Sequence, residues 1–303
     1  MLSQEQLDDR LNYVTGSDAA VVCGLSPWKT KLELWMEKTK RTVAEDISGL
    51  NHIKFGNYFE DGVAKWFEAE SGKTLKQESP GTIYHKDFDF MSGNVDRVLE
   101  NENAILECKT AYNDTGWGNG QNIIPPYYLM QVAHYCAVGG YDRAYIDVVF
   151  ASKREMRWYV YERNTSLEEK IIAREKDFWF NHVLADVPPE PETEKDILLL
   201  YKETSADPVV ANQDIYQEVL DLQATSAKIK ALESEKKRLR ESVVKFMLAN
   251  DTLISNDGKE LATWRFTKPI NRFDSKSLKD IHPDIYSKFT KECSPNRVFR
   301  VKN

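Results

Sequence analysis

The sequence predicts a mixed α/β fold in which a central mixed β-sheet is flanked by helices, followed by one long helix and a small β/α extension. Three observations carry this. Helix-period stretches and short β-textured runs alternate along the first 187 residues, the pattern of helices packed on a sheet. An acid- and proline-rich run, DVPPEPETEKD, then breaks the pattern. Beyond it, residues 213–250 read as a single amphipathic helix. The expected organisation is therefore a core over 1–187, a linker over 188–212 and a C-terminal extension over 213–303.

Residues 3–10 read as a short helix leading to Arg10. In YVTGSDAAVV, Ser17 is placed to cap a short helix with Asp18 in its first turn. GLSPW ends that helix and KTKLELWMEK begins another. In the next segment Phe55, Phe59, Val63, Trp66 and Phe67 share one helical face, which predicts core, and Gly72 closes the helix. Glu60 lies beside that stripe. TLKQES, GTIYHKD, FDFMSGNVDRVLE and NAILECKTAY are short strand-like runs divided by turn residues. YYLMQVAHYCAVGG returns to helix and stops at its two glycines. RAYIDVVFAS and MRWYVYERN read as a hairpin, and TSLEEKIIAREKDFWFNHVLA as a helix whose capping box is Ser166 and Glu169.

Composition excludes several classes. The hydrophobic fraction of 41% supports a folded core. No apolar run approaches the ~18 residues of a membrane span, and the start, MLSQEQLDDR, has no signal-peptide pattern. Four scattered cysteines without a CxxC pair point to a reducing cytoplasm and away from zinc or iron–sulfur ligation. The net charge of -7 does not favour nucleic acid, but residues 259–303 carry eleven Lys/Arg against five Asp/Glu. A basic surface is thus available locally.

The chemistry concentrates in AILECKTAY. Alternation in a strand puts Ile105, Glu107 and Lys109 on one side. A hairpin turning at Glu100–Asn103 pairs Leu99 with Ala104, Val98 with Ile105 and Asp96 with Glu107, which sets two carboxylates roughly 5 Å apart at Cβ. Two such carboxylates need a shared proton or a cation between them. A hard divalent ion fits and can activate water at a phosphodiester, with the Lys109 ammonium stabilising developing charge. An isolated E-x-K is far more often a surface ion-pair ladder, so the pattern gains weight only from the elements around it.

The order of these elements resembles the PD-(D/E)xK nuclease superfamily, a restriction-endonuclease-like fold. More narrowly it is similar to the YqaJ-like viral recombinases and phage lambda-type exonucleases. The likeness rests on RLNYVTGSDAAVVCGLSPWK, FGNYFEDGVAKWFE, GNVDRVLENENAILECKT and PPYYLMQVAHYCAVGG, which span most of residues 10–150. It implies that Asp96, Glu107 and the Cys108 backbone carbonyl hold Mg²⁺, with Mn²⁺ able to replace it, and that Lys109 is the catalytic lysine. Glu60 would stand at the edge of the metal site, directly or through water. Gln131 would point from its helix at the substrate, and Arg10 and Ser17 would hold the 5′-phosphate of a DNA end. An Arg beside a capped helix start is also a phosphate site on physical grounds. The superfamily's proline is absent before Asp96, where Gly93, Asn94 and Val95 stand instead.

The resemblance implies a 5′-to-3′ exonuclease on linear duplex DNA, leaving 3′ overhangs for a single-strand annealing protein in phage-type recombination. It also implies a ring-shaped homotrimer and a phage or prophage origin in a bacterial cytoplasm, without membrane association. An endonuclease of the same fold and a non-catalytic DNA-binding scaffold are the alternatives. Gly116, Gly118 and Gly120 around Trp117 suggest a mobile loop beside the site, with stacking of Trp117 on a base at the DNA end as one of the roles open to it. Ile215, Val219, Leu222, Ser226 and Ile229, continued less regularly by Leu232, Leu239, Val243 and Phe246, form a near-heptad stripe. That helix packs on its own domain or meets another copy, and the basic tail faces DNA or a protein partner.

Overall fold

Runs rich in Val, Ile and aromatic residues form the strands of a four-stranded mixed sheet, and the amphipathic runs between them form its covering helices. The computed structural model describes residues 9–43, 47–78, 80–205, 207–291 and 297–302. Residues 3–8 of the expected first helix lie outside the described residues. Two compact units are present, one ending at Thr204 and the other beginning at Ser205.

The first unit opens with a 3-10 turn, Arg10–Asn12, followed by α1 (Gly16–Val22), α2 (Lys31–Lys38) and α3 (Asn51–Ser71). The strands β1 (Thr82–Tyr84) and β2 (Ser92–Asn94) form a small antiparallel ribbon. Next come β3 (Arg97–Val98), β4 (Ala104–Ala111), α4 (Pro126–Gly139), β5 (Arg143–Phe150) and β6 (Glu155–Glu162). The main sheet has the order β3-β4-β5-β6. Its outer pairs are antiparallel, while β4 and β5 are parallel and joined through α4. A parallel pair requires such a crossover. Helix α5 (Thr165–Asp177), continued by π-helical turns over Phe178–Leu184, and α6 (Glu194–Leu200) complete the unit.

The expected β3–β4 register is present: Val98 pairs with Ile105, and the Leu99 N–H donates to the Ala104 carbonyl at 3.0 Å. Strand alternation then sorts β4. Ile105 packs with the α4 side of the sheet, and Leu106 and Ala104 with Phe67 and Ala64 of α3 on the other side. The sheet is therefore buried on both faces.

Several local expectations need correction. The N-cap of α1 is Thr15, not Ser17: the Asp18 carboxylate accepts the Thr15 N–H at 3.0 Å. The N-cap of α5 is Asn164, whose side chain accepts the Leu167 N–H at 3.0 Å, in place of Ser166. Only the second half of the α3 stripe is core. Val63 and Phe67 are fully buried, whereas Phe55, Phe59 and Trp66 are substantially exposed. Phe55 and Phe59 instead stack on each other with centroids 4.1 Å apart. Within 188–212, α6 is an ordered, docked helix, since the Thr30 hydroxyl donates to its buried Asp196 at 2.8 Å.

The second unit contains α7 (Gln213–Met247), a hairpin of β7 (Thr252–Ile254) and β8 (Glu260–Thr263), then α8 (Ser275–Ile281) and α9 (Pro283–Phe289). The expected strands around one short helix are thus a hairpin followed by two short helices, among the described residues. No described helix is long and apolar enough to cross a membrane.

Candidate active site

Asp96 lies in the connection between β2 and β3, and its Oδ2 accepts the Cys108 N–H at 2.8 Å. This bond docks the carboxylate against β4 next to Glu107. On the α4 side, Glu107 Oε1 accepts from Lys109 Nζ at 2.6 Å and from Gln131 Nε2 at 2.8 Å. Gln131 reaches Glu107 because α4 crosses over the sheet face that Glu107 and Lys109 share. Asp96, Glu107, Lys109 and Gln131 are therefore brought together.

The electrostatics are those of a crowded acidic pair. Burial, and then the Glu107 charge, push the Asp96 carboxyl up to about 8. Burial pulls the Lys109 ammonium down, but the charges of Glu107 and Asp96 outweigh it and hold the group above its ordinary value. The ammonium also sits 5.0 Å from the centroid of the Tyr128 ring. Glu107 Oε2 is buried without a partner among the described residues. Buried carboxylate oxygens are normally paired or bound to a metal. The donor set of Asp96, Glu107 and the Cys108 carbonyl suits a hard divalent cation.

Glu60 stands further out. Its carboxylate takes the Arg97 guanidinium at 2.9 Å, and the same Arg97 nitrogen donates to the Asp96 carbonyl at 2.6 Å. That pairing engages Glu60, and no cluster of three or more His, Cys, Asp or Glu side chains arranged for a metal exists among the described residues.

Arg10 and Ser17 are adjacent. The guanidinium donates to the Ser17 hydroxyl and, at 3.4 Å, to the Thr15 hydroxyl. A buried lysine builds this corner: Lys38 Nζ donates to the carbonyls of Arg10 at 2.7 Å and Tyr13 at 2.6 Å, and to Asp18 Oδ2 at 2.7 Å. Burial raises the Asp18 carboxyl, but Lys38 and Arg10 overcome this and bring it to about 2. Because α1 has only seven residues and Thr15 caps it, an anion at this corner would be held by the guanidinium and hydroxyl, not by a helix dipole.

Tyr135 connects the two groups. Its hydroxyl lies 3.1 Å from Gln131 Nε2, and its ring fills the space beside Gly16 and Gly93. Burial, and then Glu107, hold its phenol well above the ordinary tyrosine range. Sequence reasoning passed over Tyr135, Arg97 and Lys38. The signal for Tyr135 was its spacing one helical turn after Gln131, on the same face.

Trp117 is not at the site. It is 8% exposed and packs in the core against Tyr159 and Tyr128, at centroid distances of 5.0 and 5.3 Å. Its loop is also fastened: the Tyr159 hydroxyl donates to the Gly118 carbonyl at 2.7 Å, and Arg157 and Lys153 hold Asp114 at 2.8 and 2.6 Å. A ring so enclosed has no face left for a base.

The mixed sheet, its two covering layers and the D…E-x-K cluster, with Asp96 in the β2–β3 connection and Glu107 and Lys109 on β4, define a protein of the restriction-endonuclease-like fold. Residues 5–142 match the YqaJ-like viral recombinase domain. The chain is also 36% identical, over 100% of its length and 95% of the relative's, to the uncharacterised protein YqaJ of Bacillus subtilis (strain 168). It belongs to the YqaJ-like viral recombinase family. Among solved structures it is similar to an alkaline exonuclease from Laribacter hongkongensis, with 17% identity, 61% of this chain and 94% of that one covered, and a TM-score of 0.49. A phage-related exonuclease from Haemophilus somnus 129PT gives 15% identity, 57% and 96% coverage, and a TM-score of 0.43.

Proposed function

We propose that this protein is a divalent-metal-dependent exonuclease that degrades one strand of linear duplex DNA from a 5′-phosphorylated end, 5′ to 3′. The product is a 3′ single-stranded overhang for a single-strand annealing protein in phage-type recombination. A ring of three chains around the DNA, as in lambda-type exonucleases, belongs to the same reading, as does a phage or prophage origin in a bacterial cytoplasm. The observation that carries it is the hydrogen-bonded group of Glu107, Lys109 and Gln131 beside Asp96, which is fastened to the Cys108 N–H, together with the paired Arg10 and Ser17.

Mg²⁺, or Mn²⁺ in its place, would be held by Asp96, Glu107 and the Cys108 carbonyl, with Glu60 at the edge through water, and would supply Lewis acidity toward the scissile phosphate. Asp96 would be held ionised with a cation there, since a cation between two adjacent carboxylates takes the place of a shared proton. Lys109, held against Glu107, would stabilise as an ammonium the charge that builds on phosphate oxygens. Gln131 fixes the Glu107 carboxylate and presents its amide toward the substrate. Arg10 and Ser17 bind the terminal phosphate with charge-assisted hydrogen bonds, which register the first scissile bond against the carboxylates.

Incubation with linear and closed-circular duplexes tests this. Mg²⁺ or Mn²⁺ should support loss of the linear DNA alone, and EDTA or Asp96→Ala should abolish it. Nicking of the circle identifies an endonuclease. DNA binding without cleavage under every metal condition identifies a scaffold.

A further inference from the structure

The second unit lacks a core of its own. Of its described residues, Met247 is the one buried hydrophobic side chain. Its main element, α7, runs for 35 residues, about 52 Å at 1.5 Å per residue. A helix of this length gains most of its stability from burying one face, and here the apolar face is uncovered. Ile229, Leu232, Leu239, Val243 and Phe246 are 52, 69, 50, 39 and 76% exposed.

Their spacing is a heptad seam. With Ile229 at position a, the a row reads Ile229, Lys236 and Val243, and the d row reads Leu232, Leu239 and Phe246. The a row extends backwards through Leu222 to Ile215. β-Branched residues at a with Leu at d favour two parallel strands, and one Lys in the a row fixes register and number of strands. The charges flanking the seam agree. Lys228 and Glu235 occupy g, and Glu233 and Arg240 occupy e. In a parallel in-register pair, g of one helix meets the following e of the other, so Lys228 meets Glu233 and Glu235 meets Arg240. All four contacts across the two-fold axis join opposite charges.

We propose that α7 is a parallel, in-register two-stranded coiled coil with α7 of a second copy of this chain, with a seam running from Ile229 to Phe246; because a two-fold seam cannot be satisfied among the three chains of one ring, the second copy belongs to a different ring. Within one chain Glu235 is held by Arg238 at 2.7 Å, on an exposed surface. Arg240 lies 5.2 Å from the Trp264 ring centroid. Exposed pairs of that kind contribute little, so the inter-chain partners displace them at small cost.

The full-length chain tests this in two ways. In a Cys293→Ser background, Ile229→Cys should form a disulfide-linked pair on mild oxidation, because in-register a positions face each other. Second, the dissociation constant for pairing is measured by sedimentation. Glu235→Arg and Arg240→Glu should each weaken it by about tenfold, and the double variant should recover it. Recovery separates pairing from loss of the Arg238 or Trp264 contacts, which the double variant does not restore. Absence of the Ile229→Cys cross-link, or a double variant no tighter than the single ones, overturns the proposal. The cross-link reports one residue pair and is insensitive to any assembly made through the first unit.

Discussion

Tyr135 is the residue on which the site's two halves converge. Its ring lies where Gly16 and Gly93 have no side chain, so three distant positions are coupled sterically. A Cβ at Gly93 would fall 2.8 Å from the Tyr135 ring, and the buried ring has nowhere to move. Gly93→Ala should therefore destabilise the fold by about 1–3 kcal/mol, as measured by urea unfolding. Adding Tyr135→Leu should recover part of that loss if the clash is the cause. Asp18 carries a pH dependence of known sign. Its carboxyl falls from an ordinary 3.8 to about 2 on folding. The stability it contributes is complete above the unfolded value and is lost as pH drops through the folded one. Unfolding free energy should fall between pH 4 and 2, and Asp18→Asn should flatten that slope. An unchanged slope in the variant would assign the acid sensitivity elsewhere. That Asp96 would come beside Glu107 was legible in the sequence, because a short polar turn fixes the hairpin register. Trp117 was misread for the opposite reason: glycines around an aromatic look like a mobile loop, and the tyrosines that bury it come from β6 and α4. Tyr135 was unremarkable in the sequence, since an aromatic in an apolar helix is ordinarily plain core.

The elements explain why these residues meet. The parallel β4–β5 pair forces a crossover, α4 supplies it, and its inner face delivers Gln131 to Glu107. Helix α4 is in turn fixed at its buried side by His134, whose ring nitrogens contact Glu175 of α5 at 2.8 Å and the Ser92 carbonyl of β2 at 2.9 Å. Both side chains are fully buried. Burial pulls the imidazole down, but Glu175 more than compensates and holds it above the usual histidine value. Removing one partner of such a pair leaves the other unmatched, so Glu175→Ala should cost about 3–5 kcal/mol. Calorimetry should show it, with Glu175→Gln losing less because its amide oxygen can still accept from the ring. The alternation of helices and strands was visible in the sequence, as were the ends of α3 and α4 at their glycines. The two caps each lie two residues before the expected serine, because Ser, Thr and Asn cap interchangeably and only backbone geometry selects among them. The aromatic stripe of α3 was read as core throughout. Periodicity reports a face, but it does not report where the sheet beneath that face ends.

At the scale of the whole molecule, the two units divide the work. The first contains almost all of the buried apolar side chains and the entire candidate site. The second presents an uncovered apolar stripe and a basic tail, with Met247 as its one buried apolar side chain among the described residues. Under the proposed function an acidic chain must meet DNA through local positive charge, for which Arg10 at the site and the basic run after Lys259 are the candidates. The central claim is that the carboxylate cluster cleaves and the Arg10–Ser17 corner selects the end. A linear duplex bearing a 5′-phosphate at one terminus and a 5′-hydroxyl at the other tests both together, in Mg²⁺, by following release of nucleotides from each end. The account predicts digestion from the phosphorylated terminus, with that preference lost in Arg10→Ala and all release lost in Asp96→Ala. Equal release from both termini by the unmodified protein, or release that survives Asp96→Ala, would contradict it.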